Sequence, residues 1–145
     1  MIKRKIFVTQ PSLPDIEEYS DMLSTSWNAK WLTNDGELHQ QFEAKLCEYL
    51  DVEFISLFNN ATIALIIAQR ALGFKKEIIT TPFSFIATSH SIKWNNFIPV
   101  FVDVDDYYGN ITPDNIIEAI NDNTGGILAV HNYGLPGYIE EIEKI

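Results

Sequence analysis

The sequence has little of several features that would narrow its function. It has one cysteine, Cys47, so it forms no disulfide within the chain. Its 10 Lys and Arg residues are outnumbered by 20 Asp and Glu residues, which gives a net charge of -10. A chain with so few basic residues is not expected to bind nucleic acid or an anionic membrane surface through its overall charge. No stretch approaches the roughly 18 apolar residues of a membrane span, and the basic start, Met1–Lys5, is not followed by the apolar run of a signal peptide. These absences predict a cytoplasmic protein.

A metal site is also not expected. His39 and His90 lie in helical patterns without a partner at zinc-ligand spacing. Asp103 and Asp105 follow an apolar strand pattern, and Asp-x-Asp at such a place is the nucleophile signature of Mg²⁺-assisted, haloacid-dehalogenase-type phosphatases. The bulky Tyr107 follows where that signature has small or hydroxyl residues, which favours turn-forming aspartates instead.

What the sequence does contain, from residue 54 on, is an alternation of strand and helix patterns. Strands are predicted over 54–58, 77–81, 98–104 and 126–130, with amphipathic or apolar helix patterns between them. This alternation predicts βαβ units and a parallel sheet, in a three-layer α/β/α fold. Two amphipathic helices are predicted earlier in the chain, the first capped by Ser12. We therefore expect residues 1–50 to form an N-terminal extended segment and helices, and 51–145 to form a larger α/β domain.

Two of the turns carry residues suited to binding a ligand. Asn60, Ala61 and Thr62 lie where the first strand pattern meets an apolar helix. Backbone N–H groups at a helix start lack partners and suit a phosphate, to which Thr62 could add its hydroxyl; an ordinary helix cap is the alternative. The segment 81–88 follows the next strand, at the edge where open parallel sheets bind ligands, and its aromatic residues could stack on a planar ring or pack in the core.

Five segments, in order, resemble the DegT/StrS family of pyridoxal-phosphate (PLP) sugar aminotransferases. They are Trp31–Gly36 with Phe42-Glu43, Asn59–Leu65, Thr81–Thr88, Pro99–Asp105 and Val130–Gly134. The resemblance implies the N-terminal part of a fold-type-I PLP-dependent transferase domain, with an incomplete parallel sheet. In that fold the strand at 77–81 lies between those at 98–104 and 126–130.

The resemblance also implies roles for individual residues. The PLP phosphate would be held by Asn60, Ala61 and Thr62, and the pyridine ring would stack on Phe85. Contacts to the substrate are implied for Thr33, Asn34 and His131. The family turn commonly has glycine where this chain has Ala61.

The implied reaction moves an amino group from an amino acid, expected to be glutamate, to a nucleotide-linked keto sugar. The nearest subgroup aminates 4-keto-6-deoxyhexoses, as in the biosynthesis of lipopolysaccharide O-antigens, and its members act as homodimers. The family's acidic residue that contacts the pyridine nitrogen of PLP would lie roughly ten residues past Ile145. The Schiff-base lysine would lie further on. Because no lysine of this sequence lies in a family motif, we expect a fragment that is inactive alone. The alternatives are a PLP sugar dehydratase, in which histidine replaces that lysine, and a catalytically dead chain that acts as an interaction module.

Overall fold

The structure, a computed structural model, describes Phe7 and residues 9–145. They belong to two compact units, one reaching to Leu57 and the other spanning Phe58–Ile145. The extended segment predicted at the N terminus lies largely outside the described residues. Within the described part, no helix is both long enough and apolar enough to cross a membrane.

The first unit contains two helices, α1 (Ile16–Ala29) and α2 (Glu37–Leu50). Helix α1 is capped by Asp15, whose Oδ1 accepts the backbone N–H of Glu17 at 2.8 Å. The cap predicted at Ser12 is therefore wrong. Both residue types accept hydrogen bonds from a helix start, so composition alone could not choose between them.

The second unit contains a three-stranded parallel sheet in the order β2-β1-β3. Its strands are β1 (Glu77–Thr80), β2 (Ile98–Phe101) and β3 (Thr124–Ile127). The central strand is the one predicted at 77–81, flanked by the strands predicted at 98–104 and 126–130. The parallel sheet and its strand order are confirmed.

The strand predicted over 54–58 is wrong. These residues have no regular secondary structure and pair with no strand in the described part of the chain, and Phe54 is 81% exposed. A strand exists only where its N–H and C=O groups bond to a neighbouring strand. The apolar composition that predicted this strand does not supply such a neighbour.

Helices cover both faces of the sheet. Successive strand residues point to opposite faces, so Ile78 packs with Ile92 and Phe97 on one side, while Ile79 packs with Val102 and Ile116 on the other. The second unit's helices are α3 (Ala61–Ala71), α4 (Ala87–Trp94), α5 (Pro113–Ala119) and α6 (Ile139–Ile142). The predicted three-layer α/β/α arrangement is confirmed.

Candidate functional site

The candidate site lies at the carboxyl edge of the sheet. The loops 81–86, 102–111 and 128–137 each follow one of the three parallel strands. Because parallel strands all end at the same edge, these loops meet there, at the place where open α/β sheets bind ligands. Helix α3 begins in the same compact unit.

The start of α3 carries backbone donors that have no partner within the part of the chain that the structure describes. Asn60 caps the helix through its Oδ1, which accepts the N–H of Ile63 at 2.9 Å. Among the hydrogen bonds of the described residues, none involves the N–H of Ala61, the N–H of Thr62 or the Thr62 hydroxyl. Ala61 is the first helical residue and has no positive φ, so it adopts the turn without the strain that a glycine would avoid.

Helix α3 is held against α4 by buried polar contacts. Gln69, only 2% exposed, donates from Nε2 to Ser91 Oγ at 2.7 Å. Asn95 donates from Nδ2 to the carbonyl of Ile66 at 2.9 Å and accepts from Arg70 Nε at 2.9 Å. These contacts were not predicted from sequence; the signal that could have found them is Gln69, a polar residue within an otherwise apolar helix.

An aromatic cleft of about 390 Å³ opens beside the loop that follows β1. Its lining residues are Pro82, Phe83, Ser84, Phe85, Asn132 and Tyr133. Phe85 is 78% exposed. Phe83 meets Tyr133 edge to face, with ring centroids 6.4 Å apart and planes 65° apart. Tyr133 is 88% exposed, so the cleft presents accessible rings from both Phe85 and the edge-to-face pair.

His131 lies after β3, on the loop that borders this cleft. Its Nδ1 accepts the backbone N–H of Gly137 at 2.9 Å, so in this arrangement the ring proton is on Nε2. The side chain braces its own loop, and the residue is exposed. Its neighbour Asn132 is buried and lines the cleft, although sequence reasoning assigned it no role.

Asp105 organises the loop after β2. Its Oδ1 accepts the N–H of Tyr108 at 2.6 Å and that of Tyr107 at 2.8 Å, and its Oδ2 accepts the N–H of Asn110 at 3.1 Å. These donors, Tyr108 foremost, hold the pKa of the Asp105 carboxyl below its usual range. The prediction of a turn-forming aspartate is confirmed for Asp105.

Thr33 and Asn34 lie in the first unit. The indole N–H of Trp31 donates to Thr33 Oγ1 at 3.1 Å and to the carbonyl of Asn34 at 3.2 Å, which holds the turn between α1 and α2. The second unit contains the other predicted site residues: Asn60, Ala61, Thr62, Phe85 and His131.

Comparison with known proteins identifies the family of this chain. Residues 14–145 match the model of the DegT/DnrJ/EryC1/StrS aminotransferase family. The chain is 54% identical, over all 145 residues, to the dTDP-4-amino-4,6-dideoxy-D-glucose transaminase of Escherichia coli. It covers 39% of that relative's length.

Two solved structures show the same fold. DesI, solved in the presence of its TDP-sugar product, superimposes with a TM-score of 0.87 at 30% identity, over 92% of this chain and 34% of that one. The E. coli GDP-4-keto-6-deoxy-D-mannose-3-dehydratase, solved with bound hydrated PLP, gives a TM-score of 0.78 at 26% identity, over 92% of this chain and 36% of that one. The observed three-layer fold is therefore consistent with part of a fold-type-I domain. With a family model matching nearly its whole length, this chain belongs to the DegT/DnrJ/EryC1/StrS aminotransferase family.

Proposed function

We propose that this chain forms part of the PLP site of an aminotransferase that acts on a dTDP-linked 4-keto-6-deoxyhexose. One observation carries the proposal: the N–H donors of Ala61 and Thr62 at the start of α3 have no partner among the described residues, and the same compact unit exposes the ring of Phe85. Together they offer an anion-binding turn and an aromatic surface. A phosphorylated planar ring needs both.

The α3 turn fits a phosphate by its donor chemistry. The N–H groups of Ala61 and Thr62 point out of the helix start, where the helix dipole is positive, and the Thr62 hydroxyl can add a third donor. Asn60 contributes by fixing where the helix begins, because its side chain satisfies the N–H of Ile63. The acidity of the whole chain does not oppose this fit, because the donors act locally.

The aromatic cleft fits the ring. Phe85 offers an accessible face for stacking, and the loop that carries it is held by Thr81 Oγ1, which accepts the N–H of Phe83 at 3.1 Å. PLP, when bound, supplies an electron sink for the carbon next to an amino group. The residues of this chain would bind and orient the cofactor; we assign no catalytic residue within 1–145.

The substrate assignment rests on similarity. The relative at 54% identity is named for dTDP-4-amino-4,6-dideoxy-D-glucose, and we propose the same class of sugar nucleotide here, with glutamate as amino donor. Contacts from Thr33, Asn34 and His131 to that substrate belong to the same proposal, as do a homodimer and a cytoplasmic location. The chain spans about two fifths of that relative's length, so the reaction of the whole protein is part of the proposal.

A sugar dehydratase is the second candidate within the family. It is favoured by the fold shared with the E. coli dehydratase, at 26% identity. The identity to the transaminase is 54%, so transamination is better supported. The residue at the family's lysine position decides between them, because a lysine there supports transamination and a histidine supports dehydration.

The α3 turn is tested by the substitution Thr62→Val in the whole protein. The substitution removes the hydroxyl donor while keeping the shape, and we expect PLP binding to weaken by about 1.5–3 kcal/mol, the value of a hydrogen bond to a charged group. The measurement is the PLP dissociation constant by fluorescence titration.

The matched control is Thr112→Val. Thr112 caps α5 by accepting the N–H of Asn115 at 3.2 Å, so its loss should lower the melting temperature and leave the PLP dissociation constant unchanged. If Thr62→Val also leaves the dissociation constant unchanged, the α3 turn is only a helix cap and the proposed phosphate site is wrong.

A further inference from the structure

The amide of Asn132 joins two loops at the carboxyl edge. Asn132 is 8% exposed, and its Nδ2 donates to the carbonyl of Phe83 at 2.9 Å and also to the carbonyl of Gly109. A primary amide has two N–H donors, and both are used here. The side chain that lines the aromatic cleft thus ties the loop after β1 to the loop after β2, from a position on the loop after β3.

Asn110 in turn holds the loop that carries Asn132. It is 1% exposed, its Oδ1 accepts the N–H of Asn132 at 3.0 Å, and its Nδ2 donates to the carbonyls of Leu135 at 3.3 Å and Pro136 at 3.1 Å. Asp105 accepts the N–H of Asn110. Two buried amides therefore connect all three loops.

These contacts hold the loops that carry two aromatic residues of the cleft, Phe83 and Tyr133. Tyr133 has a left-handed backbone with φ of 51°, which non-glycine residues rarely adopt without support from their surroundings. This places its ring against Phe83. Phe83 also lies against Gly109, so closely that a Cβ there would come within 2.7 Å of Phe83 Cε1.

We propose that Asn132, supported by Asn110, is a positioning residue for the cofactor cleft. By holding the carbonyls of Phe83 and Gly109 together, it sets the separation of the loops and the place of the Phe83–Tyr133 pair beside Phe85. Neither asparagine needs to touch the cofactor for this role. The inference rests on the proposed function, since it concerns the geometry of the proposed PLP cleft.

The test compares Asn132→Leu with Asn115→Leu, each in the whole protein. Leucine keeps the branch of asparagine at Cγ, is larger, and removes both donors of Asn132. Asn115 is a matched control because its Nδ2 also bridges to a loop carbonyl, that of Asp103 at 3.0 Å, but it does not line the aromatic cleft. The readouts are hydrogen–deuterium exchange without cofactor, the PLP dissociation constant, and the induced circular dichroism of bound PLP.

For Asn132→Leu we expect faster exchange in both 81–86 and 105–110, a weaker induced signal, and PLP binding weaker by about tenfold or more, because the carbonyls of Phe83 and Gly109 lose the donor that joins them. Asn115→Leu should speed exchange only near Asp103 and Asn115 and leave PLP affinity unchanged. If Asn132→Leu does not fold, Asn132→Ser, too short to bridge two carbonyls, carries the same expectation.

The outcomes separate the two proposals. If the wild-type protein binds PLP and Asn132→Leu binds it equally well, or if exchange in 81–86 is unchanged, the positioning role is wrong while the proposed function stands. An equal loss of affinity in Asn115→Leu also overturns the role, because general destabilisation would then explain it. If the wild-type protein shows no saturable PLP binding, the proposed function fails and the positioning role fails with it.

Discussion

Asp105 shows how a single carboxylate can hold a whole loop. It accepts three backbone N–H groups, and its own N–H donates to the carbonyl of Asn110 at 2.9 Å. The loop continues into the buried side chain of Asn110, which supports Asn132 beneath the aromatic cleft. A residue whose spacing suggested phosphatase chemistry thus acts on the backbone around it.

We predict that Asp105→Asn lowers stability in a pH-dependent way. The amide keeps one acceptor, but its NH₂ group would face the N–H of Asn110 where Oδ2 now accepts. Because the folded pKa of Asp105 is lowered from 3.8, the stabilisation by its carboxylate is fully present above that pH and is lost as the pH falls through the lowered value. The urea midpoint of the variant should fall below that of the wild type at pH 7, and the gap should narrow in acid.

The control for this prediction is Asp106→Asn, one residue along the same loop. Asp106 is exposed, and no hydrogen bond among the described residues involves its side chain. Its substitution should leave the urea midpoint nearly unchanged at pH 7. A gap for Asp105→Asn that has the same size at every pH would contradict the proposed role of the charge.

At the scale of elements, β3 depends on its glycines. The register of β1 with β3 shifts between Glu77 and Ile78, which pair with Thr124 and Gly126 and leave Gly125 as the extra residue. A Cβ on Gly125 would lie 1.8 Å from the carbonyl oxygen of Lys75. Glycine therefore allows the backbone before β1 to approach β3 directly, as glycines at β-bulges commonly do.

We predict that Gly125→Ala destabilises the second unit strongly, by about 2 kcal/mol or more, because backbone atoms must move to admit the methyl group. The measurement is the free energy of unfolding by urea. Gly137→Ala is the control: its added Cβ would have ordinary contacts no closer than 3.8 Å, and its φ is not in the left-handed range. Equal effects of the two substitutions would show that the close approach at Gly125 is not what matters.

At the scale of the whole molecule, the described core is small beside the exposed apolar surface. Among the described residues, the fully or nearly buried apolar ones all lie around the sheet of the second unit: Ile78, Ile79, Ile92, Phe97, Val102, Ile111 and Ile116. Helix α1 of the first unit has no buried residue and exposes its apolar stripe, including Tyr19, Met22 and Trp27. Large exposed apolar patches mark surfaces that associate with other protein.

We predict that the purified 145-residue chain is marginally stable and self-associates. Few apolar side chains are buried to offset the entropy of ordering the chain, and total stability is only about 5–15 kcal/mol even for ordinary domains. The measurement is a thermal melt with light scattering. A monodisperse monomer that melts cooperatively above about 50 °C, in the usual mesophile range, would contradict this expectation.

Much of the second unit was predictable from local patterns. The strand cores around Ile78, Val100 and Ile127, the cap at Thr112 and the glycine after α3 at Gly73 all follow from hydrophobic periodicity and backbone preference. The family resemblance placed the sheet order correctly, which local patterns alone could not do. The candidate turn at Ala61 and Thr62 was also visible, since a helix start always leaves N–H groups without partners.

The tertiary structure decided the features that depend on distant neighbours. The apolar pattern of residues 54–58 predicted a strand, but a strand forms only beside a neighbouring strand, which no local pattern specifies. The roles of Asn110 and Asn132 were hidden because an asparagine in a turn is ordinary in any sequence; only folding brings their amides to the carbonyls of Phe83, Leu135 and Pro136. Residue types and spacing thus determined the elements and the ligand chemistry on offer, whereas contacts between loops far apart in the chain decided the shape of the cleft.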